Sequence, residues 1–323
     1  MAAERTRAPR RIALGCCPTP LHELKNFGQA LGGGKRLWIK REDLIGVGLG
    51  GNKVRKMEYL LAEALDEGCD GVEPGGRSRS HQPLAVAACA VKAGLEPHIV
   101  YTNENETVSG SLGQLIGVRE HFADEEARTN MMRDIRNVAA ELTNAGRKPY
   151  IIKPGVSSPL SALGYVDCME ELFAQAAEKG ISFGHVVCCG GTGNMYAGVV
   201  LGTKLFSPET KAVTVSIGRR FSHKPTLLKQ ALRAAELGGY DAALSEDDFE
   251  VHFSCGKGAG FPTVKGREAM EALASSEGIF LDPYYTGKAM AGLLELNAEG
   301  AFADGENIAF IHSGGGSALL NSL

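Results

Sequence analysis

Many of the chain's glycines lie in short clusters, and these clusters constrain the fold more than any other sequence feature. The 323 residues include 42 glycines, with clusters at 32–34, 46–51, 75–76, 190–193, 256–260 and 314–316. Glycine adopts backbone conformations that other residues avoid, so the clusters predict tight turns between regular elements. Loops of this kind often bind ligands.

Short apolar runs alternate with longer amphipathic stretches. We predict strands at 36–40, 97–101, 150–153, 185–189, 211–217 and 308–312, and helices at 53–67, 81–93, 108–121, 127–145, 160–179, 194–205, 224–237, 264–276 and 285–297. Strands that alternate with helices indicate parallel sheets covered on both faces. The prediction is an α/β fold with two open, mainly parallel twisted sheets, whose ligands bind at the carboxyl ends of the strands.

Composition excludes several classes of protein. Apolar residues make up 44% of the chain, which is enough for a buried core, and the net charge of −4 offers no basic face to a nucleic acid. The longest apolar run, Leu84–Val91, is far shorter than a bilayer helix. No apolar segment follows the basic start MAAERTRAPRR, so no secretory signal is expected.

The eight cysteines form no C-x-x-C pair, so we expect neither a metal site nor a disulfide framework. Thiols of this kind are typical of a reducing compartment, and we predict a cytoplasmic protein.

A candidate reactive amine follows the turn at Gly50–Gly51. Asn52 is a suitable N-cap, and Lys53 begins the predicted helix. A cation in the first turn opposes the helix dipole, so stability alone does not favour it there. The alternative is a solvated surface lysine. The functional interpretation is an amine whose pKa is lowered by the helix end and by Arg55 and Lys56, and which forms a Schiff base.

A candidate anion site lies where the strand at 185–189 runs into Gly190-Gly-Thr-Gly193 and a helix from Asn194. Backbone N–H groups at a helix start bind phosphate, and Thr192 adds a donor. The pattern also resembles a dinucleotide fingerprint, but the next strand runs into Gly218-Arg219-Arg220 and not into an acid. Because these arginines could bind the 2′-phosphate of NADP, an NADP oxidoreductase remains an alternative.

Two further segments carry polar groups near predicted helix starts. Ser80 and His81 could bind a carboxylate or move protons, although capping is the simpler role for Ser80. Tyr284 and Tyr285 could supply phenols, although packing is the commoner role of such tyrosines.

Together these segments resemble the D-cysteine desulfhydrase and 1-aminocyclopropane-1-carboxylate deaminase family of fold type II pyridoxal-phosphate (PLP) enzymes. The resemblance runs from Pro18-Thr-Pro20 through Ile39-Lys-Arg-Glu-Asp43, Gly50-Gly-Asn-Lys-Val-Arg-Lys56 and Gly278–Gly292 to Ile311-His-Ser-Gly-Gly315. The segment Asp282–Gly292 is more similar to the desulfhydrase branch, because the deaminase branch usually has Glu where Thr286 stands.

The resemblance implies a role for each matching residue. Lys53 would hold PLP as a Schiff base and later move the α-proton, and Ser80 would contact the substrate carboxylate or act as a base or nucleophile. Tyr285 would be the active-site tyrosine, and Thr286 would lie beside the pyridine nitrogen. The remaining cofactor contacts would be Asn52, Lys56, His81, Thr192, Gly193 and Asn194, and the remaining substrate contacts His81 and Gln82.

The resemblance also implies an architecture and a partner. A larger domain would comprise residues 1–52 and 166–323, and a smaller one residues 53–165, with PLP in the cleft between them. The family usually forms homodimers, and its partners would be small amino acids, with no nucleic acid and no membrane.

Three positions depart from the family pattern. His81 replaces the asparagine that usually contacts the PLP 3′-oxygen, Ala259 replaces a substrate-facing tyrosine, and Met195 replaces a threonine of the phosphate turn. We interpret these changes as an altered substrate or reaction.

The leading prediction is a PLP-dependent lyase that removes a β-leaving group from a small amino acid, such as D-cysteine or cysteate, and gives a keto acid and ammonia. The alternatives are a β-replacement synthase, ring-opening deamination of 1-aminocyclopropane-1-carboxylate, and a non-catalytic PLP-binding homologue.

Overall fold

Two sheets organise the chain in the computed structural model, which describes residues 9–76, 80–101, 108–122, 131–218 and 223–323. The larger sheet has the order β1-β2-β10-β7-β8-β9 and is parallel except for the β1–β2 pair; the smaller has the order β5-β4-β3-β6 and is wholly parallel. The strands are β1 Leu21–Glu23, β2 Arg36–Lys40, β3 Gly71–Gly76, β4 Glu96–Tyr101, β5 Arg119–Phe122, β6 Pro149–Ile152, β7 His185–Gly190, β8 Lys211–Ser216, β9 Glu250–Phe253 and β10 Asn307–Ile311. The predicted α/β class with two mainly parallel sheets is confirmed.

Helices connect the strands and cover the sheets. They are α1 Lys53–Asp66, α2 His81–Lys92, α3 Val108–Leu115, α4 Met131–Asn144, α5 Pro159–Glu178, α6 Asn194–Phe206, α7 Lys224–Gly238, α8 Val264–Glu277, α9 Thr286–Ala298 and α10 Gly316–Leu320. None of the helices in the described ranges is both long and apolar enough to cross a lipid bilayer.

The prediction of one helix over 108–121 was wrong. The helix α3 ends at Leu115, Gly117 takes a left-handed conformation with φ 76°, and the chain continues as the strand β5. A left-handed glycine commonly ends a helix, and here it turns the chain toward β4. For the helix predicted at 127–145, the first four positions lie outside the described residues.

Separate apolar clusters support the two sheets. One cluster joins β2, β8 and β10 to α9 through residues such as Leu37, Val215 and Phe310. Another packs α1 and α2 against the smaller sheet, with Val54 and Val72 among its fully buried members. The glycine clusters at 75–76, 190–193 and 314–316 lie at the carboxyl ends of β3, β7 and β10, which belong to both sheets.

A buried ion network fixes the first turn of α1. The Arg55 guanidinium donates to both carboxylate oxygens of Glu42, at 2.7 and 2.9 Å, and to Glu171 at 3.0 Å. Thr19 donates to Glu42 at 2.7 Å, and Lys40 donates to Glu171. Burial alone would raise the pKa of the Glu42 carboxyl, but the charge of Arg55 holds it below its usual range.

A second buried carboxyl has no such partner. Glu73 lies on the central strand β3 with no solvent exposure, and neither of its carboxylate oxygens has a hydrogen-bond partner within the part of the chain that the structure describes. Burial, with a smaller contribution from the charge of Glu141, raises the pKa of Glu73 to about 8. At neutral pH the carboxyl is therefore mostly protonated.

Removal of the Arg55 charge should strongly destabilise the fold. In an Arg55→Leu variant, Glu42 would remain buried without its cation, and we expect a loss of about 3–5 kcal/mol in the free energy of unfolding by urea. The double variant Arg55→Leu/Glu42→Leu should recover part of that loss, because no charge is then left unpaired. A single variant as stable as the parent would contradict the importance of this ion pair.

Glu73 should make stability depend on pH. The unfolded carboxyl ionises from about pH 4.5, whereas the folded one resists ionisation up to about pH 8, so its contribution to stability is lost as the pH rises across this range. A Glu73→Gln variant should gain about 3–4 kcal/mol relative to the parent between pH 5 and pH 8. Urea unfolding at both pH values measures the difference, and a pH-independent difference would exclude this origin.

Candidate functional site

A cavity of about 180 Å³ lies where the loops after β3, β7 and β10 meet the start of α1. This volume is on the scale of a small organic molecule. The cavity brings together segments that are far apart in the sequence. Its lining consists of Asn52, Lys53, Lys56, Ser80, His81, Gln82, Gly155, Cys189, Gly191, Thr192, Gly193, Met195, Tyr196, Ile217, Ala259, Asp282, Tyr285, Ser313, Gly314 and Gly315.

Lys53 is the first residue of α1, and its side chain lines the cavity. Removal from bulk water lowers the pKa of its amine to about 8, although the nearby Cys189 and Asp282 act in the opposite direction. The predicted direction of the shift agrees with the structure, but burial is the main cause. Arg55 cannot be the cause, because its charge is paired with Glu42 and Glu171.

Asn52 occupies the predicted N-cap position of α1, but its backbone is helical and its side chain makes no capping hydrogen bond. Instead, the amide oxygen accepts a hydrogen bond of 2.8 Å from the Lys53 amine, and the amide nitrogen lies 3.3 Å from the Met195 sulfur. Asn52 therefore orients the lysine side chain.

One end of the cavity is suited to an anion. Lys56 is buried, and its amine donates at 3.0 Å to the carbonyl oxygen of Gly155. Burial, together with the neighbouring Lys53, lowers its pKa well below the usual value. The Gln82 amide oxygen accepts a hydrogen bond of 2.6 Å from the Gly155 backbone, but its buried amide nitrogen has no partner in the described residues. An anion would satisfy both the Gln82 donor and the Lys56 charge.

The glycine turn after β7 adds backbone donors to this end. Gly193 takes a left-handed conformation with φ 81° and precedes the first turn of α6, where N–H groups have no acceptor within the helix. The Thr192 hydroxyl lies 2.7 Å from the Ser157 hydroxyl. The Asn194 side chain is engaged by Ser158 and Ser161, so only its backbone is available at the turn.

The start of α2 forms another wall. Ser80 is the N-cap and accepts a hydrogen bond of 3.3 Å from the Gln82 backbone, as predicted. Both ring nitrogens of His81 have partners: Nε2 lies 2.7 Å from the Gly50 carbonyl oxygen, and Nδ1 lies 2.9 Å from the Ser317 hydroxyl. Burial and the charge of Lys53 lower the pKa of His81 to about 4, so the ring is neutral at neutral pH.

Asp282 presents to the cavity a buried carboxylate that sequence analysis missed. It accepts hydrogen bonds from the backbones of Tyr284, Tyr285 and Thr286 and from the Thr286 hydroxyl. Burial raises its pKa, although these hydrogen bonds oppose the shift. Among the described residues, Asp282 and Tyr285 line the cavity, whereas Thr286 and Tyr284 do not.

Other lining residues also escaped prediction. Cys189 and Ile217 reach the cavity because they lie at the carboxyl ends of β7 and β8. Gly155 reaches it from the segment after β6. Asp282 did carry a signal, because an acid shortly before a helix is a common N-terminal cap. The arrangement as a whole can hold a small anionic molecule at one end and present an amine to its reactive carbon.

The comparisons with known proteins point to one family. A model described as "Pyridoxal-phosphate dependent enzyme" matches residues 12–314. A protein of Pyrococcus abyssi, named "Putative 1-aminocyclopropane-1-carboxylate deaminase", is 34% identical over 309 residues, which cover 94% of this chain and 91% of the relative. A protein of Pyrococcus horikoshii with the same name is 34% identical over 307 residues, which cover 94% of this chain and 91% of the relative.

Solved structures show the same architecture. The crystal structure of an ACC deaminase homologue has a TM-score of 0.87 and 33% identity, covering 96% of this chain and 93% of the other. A PLP-dependent aspartate racemase has a TM-score of 0.69 and 15% identity, covering 92% of this chain and 90% of the other, and that likeness shows the fold alone.

The Lys53 amine should react with amine-directed reagents at a lower pH than ordinary lysines. Only the neutral amine is nucleophilic, so labelling of the Lys53 peptide in ligand-free protein should rise with pH around a midpoint near 8. Mass spectrometry of the labelled peptide measures the midpoint, and a Lys53→Arg variant identifies the signal. A midpoint above pH 10 would contradict the burial of this amine.

Proposed function

Because the chain belongs to the family of pyridoxal-phosphate dependent enzymes, we propose that it removes a leaving group from the β carbon of a small amino acid. The products would be a keto acid and ammonia. The observation that carries this proposal is the Lys53 amine, which lies in the cavity with its pKa lowered to about 8. A lysine in this state serves both as a nucleophile and as a base near neutral pH.

The residues of the cavity fit the PLP cofactor. The Gln82 amide nitrogen, which has no partner among the described residues, the buried Lys56 amine and the first turn of α6 all offer donors to a phosphate group. Thr192 and Gly193 complete this end, and Lys53 would hold the aldehyde carbon. At the other end the Asp282 carboxylate lines the cavity, and the Thr286 hydroxyl is hydrogen-bonded to it.

The protein residues would divide the work of the reaction. Bound PLP supplies an electron sink that weakens the bond between the substrate's α carbon and its hydrogen. The neutral Lys53 amine would accept that proton, and the Asn52 amide oxygen at 2.8 Å would keep the amine oriented. Because the pKa of Lys53 is near 8, a useful fraction of the amine is unprotonated at neutral pH.

The walls beside Lys53 would bind the amino acid. The hydroxyl of Ser80 and the backbone N–H of His81 would offer donors to its carboxylate, since the Gln82 N–H is used by Ser80 and Pro83 has none. Tyr285 lines the same cavity, and its backbone is fixed by a hydrogen bond of 2.8 Å to Asp282. These contacts would place the α carbon next to the lysine amine and direct the leaving group away from that amine.

The remaining wall favours a small substrate with a soft or weakly polar leaving group. Ile217, Ala259 and Met195 line the cavity with apolar atoms. These three side chains have no proton to give to a leaving group, so a leaving group beside them would have to depart readily as an anion, as hydrosulfide or chloride does. This supports substrates such as D-cysteine or β-chloroalanine.

Ring opening of 1-aminocyclopropane-1-carboxylate is the second candidate, because the Pyrococcus relatives carry that name. The wall at Ala259 has no phenol, and the residue after Tyr285 is a threonine where the deaminase branch usually has a glutamate, so elimination is the first choice. The family match decides against an NADP oxidoreductase.

Purified protein saturated with PLP should form a keto acid from at least one of D-cysteine, L-cysteate and β-chloroalanine. A Lys53→Ala variant should lower the rate about 1,000-fold or more, because it loses the nucleophile and base. The assay couples keto acid to a colour reaction, and 1-aminocyclopropane-1-carboxylate is tested in parallel.

The other outcomes distinguish the alternatives. A keto acid from the cyclopropane substrate alone would favour ring opening. Amino acid that is consumed only when a thiol is added, without keto acid, would indicate β-replacement. No turnover of any substrate, with PLP retained on Lys53, would favour a non-catalytic binding protein and overturn the proposal.

A further inference from the structure

His81 makes hydrogen bonds through both of its ring nitrogens. The Gly50 carbonyl oxygen can only accept, so Nε2 at 2.7 Å must carry the proton. Nδ1 is then an acceptor, and the Ser317 hydroxyl at 2.9 Å donates to it. The ring is 6% exposed, and Ser317 is fully buried. Neither nitrogen of this tautomer is left to donate to a ligand in the cavity.

The three partners belong to three separate segments. His81 is the first residue of α2, Gly50 lies in the loop that leads to Lys53, and Ser317 lies in α10, which follows β10. The same loop is also held from the other side, because the backbone of Asn52 donates at 2.9 Å to the Ser313 carbonyl oxygen. We call the residues 49–52 the lysine loop.

The imidazole also fills the space beside the lysine loop. Gly51 has φ 96°, which only glycine adopts readily, and a Cβ atom there would stand 3.1 Å from His81 Nε2 and 2.9 Å from the Ser313 oxygen. The loop is therefore confined between the His81 ring and the segment that follows β10. A change in the position of the ring must change the position of the loop.

We propose that His81 is a positioning residue, which clamps the lysine loop to α10 and thereby sets the orientation of Lys53. It acts through Gly50 and does not serve as a donor to the cofactor. The inference rests on the proposed function, because the orientation of Lys53 matters only if that amine acts on a ligand. It replaces the expectation, drawn from the family resemblance, that residue 81 contacts the PLP 3′-oxygen.

An asparagine at this position could not perform the same task. Its side-chain atoms reach as far as Nδ1 of histidine but end before Nε2, so one side chain could reach Ser317 but not Gly50 as well. A glutamine reaches the position of Nε2 and would retain the bond to Gly50. The neutral imidazole spans both partners and adds no second charge beside Lys53.

Hydrogen exchange of the lysine loop tests the clamp. The full chain is measured by mass spectrometry, both freed of PLP and saturated with it, in the parent and in His81→Asn, His81→Gln and Ser317→Ala. We expect amide exchange in the peptide that spans residues 49–57 to rise at least 5-fold in His81→Asn, with a smaller rise in His81→Gln and in Ser317→Ala. The rise should be present without PLP, because both hydrogen bonds join protein groups.

His185→Asn is the matched control. His185 is a buried histidine on β7 with a bond to Glu306, and it does not line the cavity. Its substitution tests whether any lost imidazole loosens the lysine loop, and we expect no selective rise in exchange at residues 49–57. An equal rise in His185→Asn would overturn the proposal.

Two other results would also overturn it. Unchanged exchange in both His81→Asn and Ser317→Ala would show that no clamp exists. A second contrary result has three parts: exchange changes in His81→Asn only when PLP is bound, this variant loses PLP faster, and Ser317→Ala exchanges like the parent. That result would make His81 a cofactor ligand. Because the PLP-free exchange does not depend on turnover, a failed keto acid assay would reject the proposed reaction and leave the clamp standing.

Discussion

The pairing of Arg55 with Glu42 and Glu171 is the constraint on which the site depends. A guanidinium buried to 1% exposure is tolerable only where carboxylates neutralise it, so the first turn of α1 can dock in one orientation. Lys53 and Lys56 flank Arg55 in sequence, and helical geometry sends their side chains in other directions. The ion network thus places two lysines in the cavity and removes the intervening arginine from it.

The two lysines give the cavity its electrostatic character. Burial lowers the pKa of both amines, and the charge of Lys53 lowers the pKa of Lys56 further. A phosphate beside Lys56 would restore the charge of that amine, because an opposite charge favours the protonated form. The Lys53 amine would then remain the neutral and reactive one of the two. In the proposed function, one helix turn would therefore supply both a cation for binding and a base for chemistry.

The sequence predicted the parts of the site that follow local rules. A lysine after a double glycine at a helix start, and a serine that caps α2, were both identified from a few neighbouring residues. Strand β3 was missed because Gly71-Val-Glu-Pro-Gly-Gly76 has no apolar run, and its burial comes from α4 and the neighbouring strands. The roles of distant partners could not be predicted, since Ser317 lies 236 positions from His81 in the sequence.

Two of the three departures from the family pattern, Met195 and His81, act on a common element. Met195, which removes a hydroxyl from the phosphate turn, brings its sulfur to 3.3 Å from the Asn52 amide nitrogen. Because the amide nitrogen faces the Met195 sulfur, the amide oxygen is directed to Lys53 and accepts a hydrogen bond from its amine. His81 holds the residue two positions earlier, Gly50. Two substitutions that look unrelated in the sequence therefore both bear on the lysine loop. In the proposed function, the donor lost at the turn would be replaced by the Gln82 amide nitrogen beside Gly155, which has no partner in the part of the chain that the structure describes. A changed reaction in this chain is thus more readily explained by a differently held lysine than by weaker binding of the phosphate.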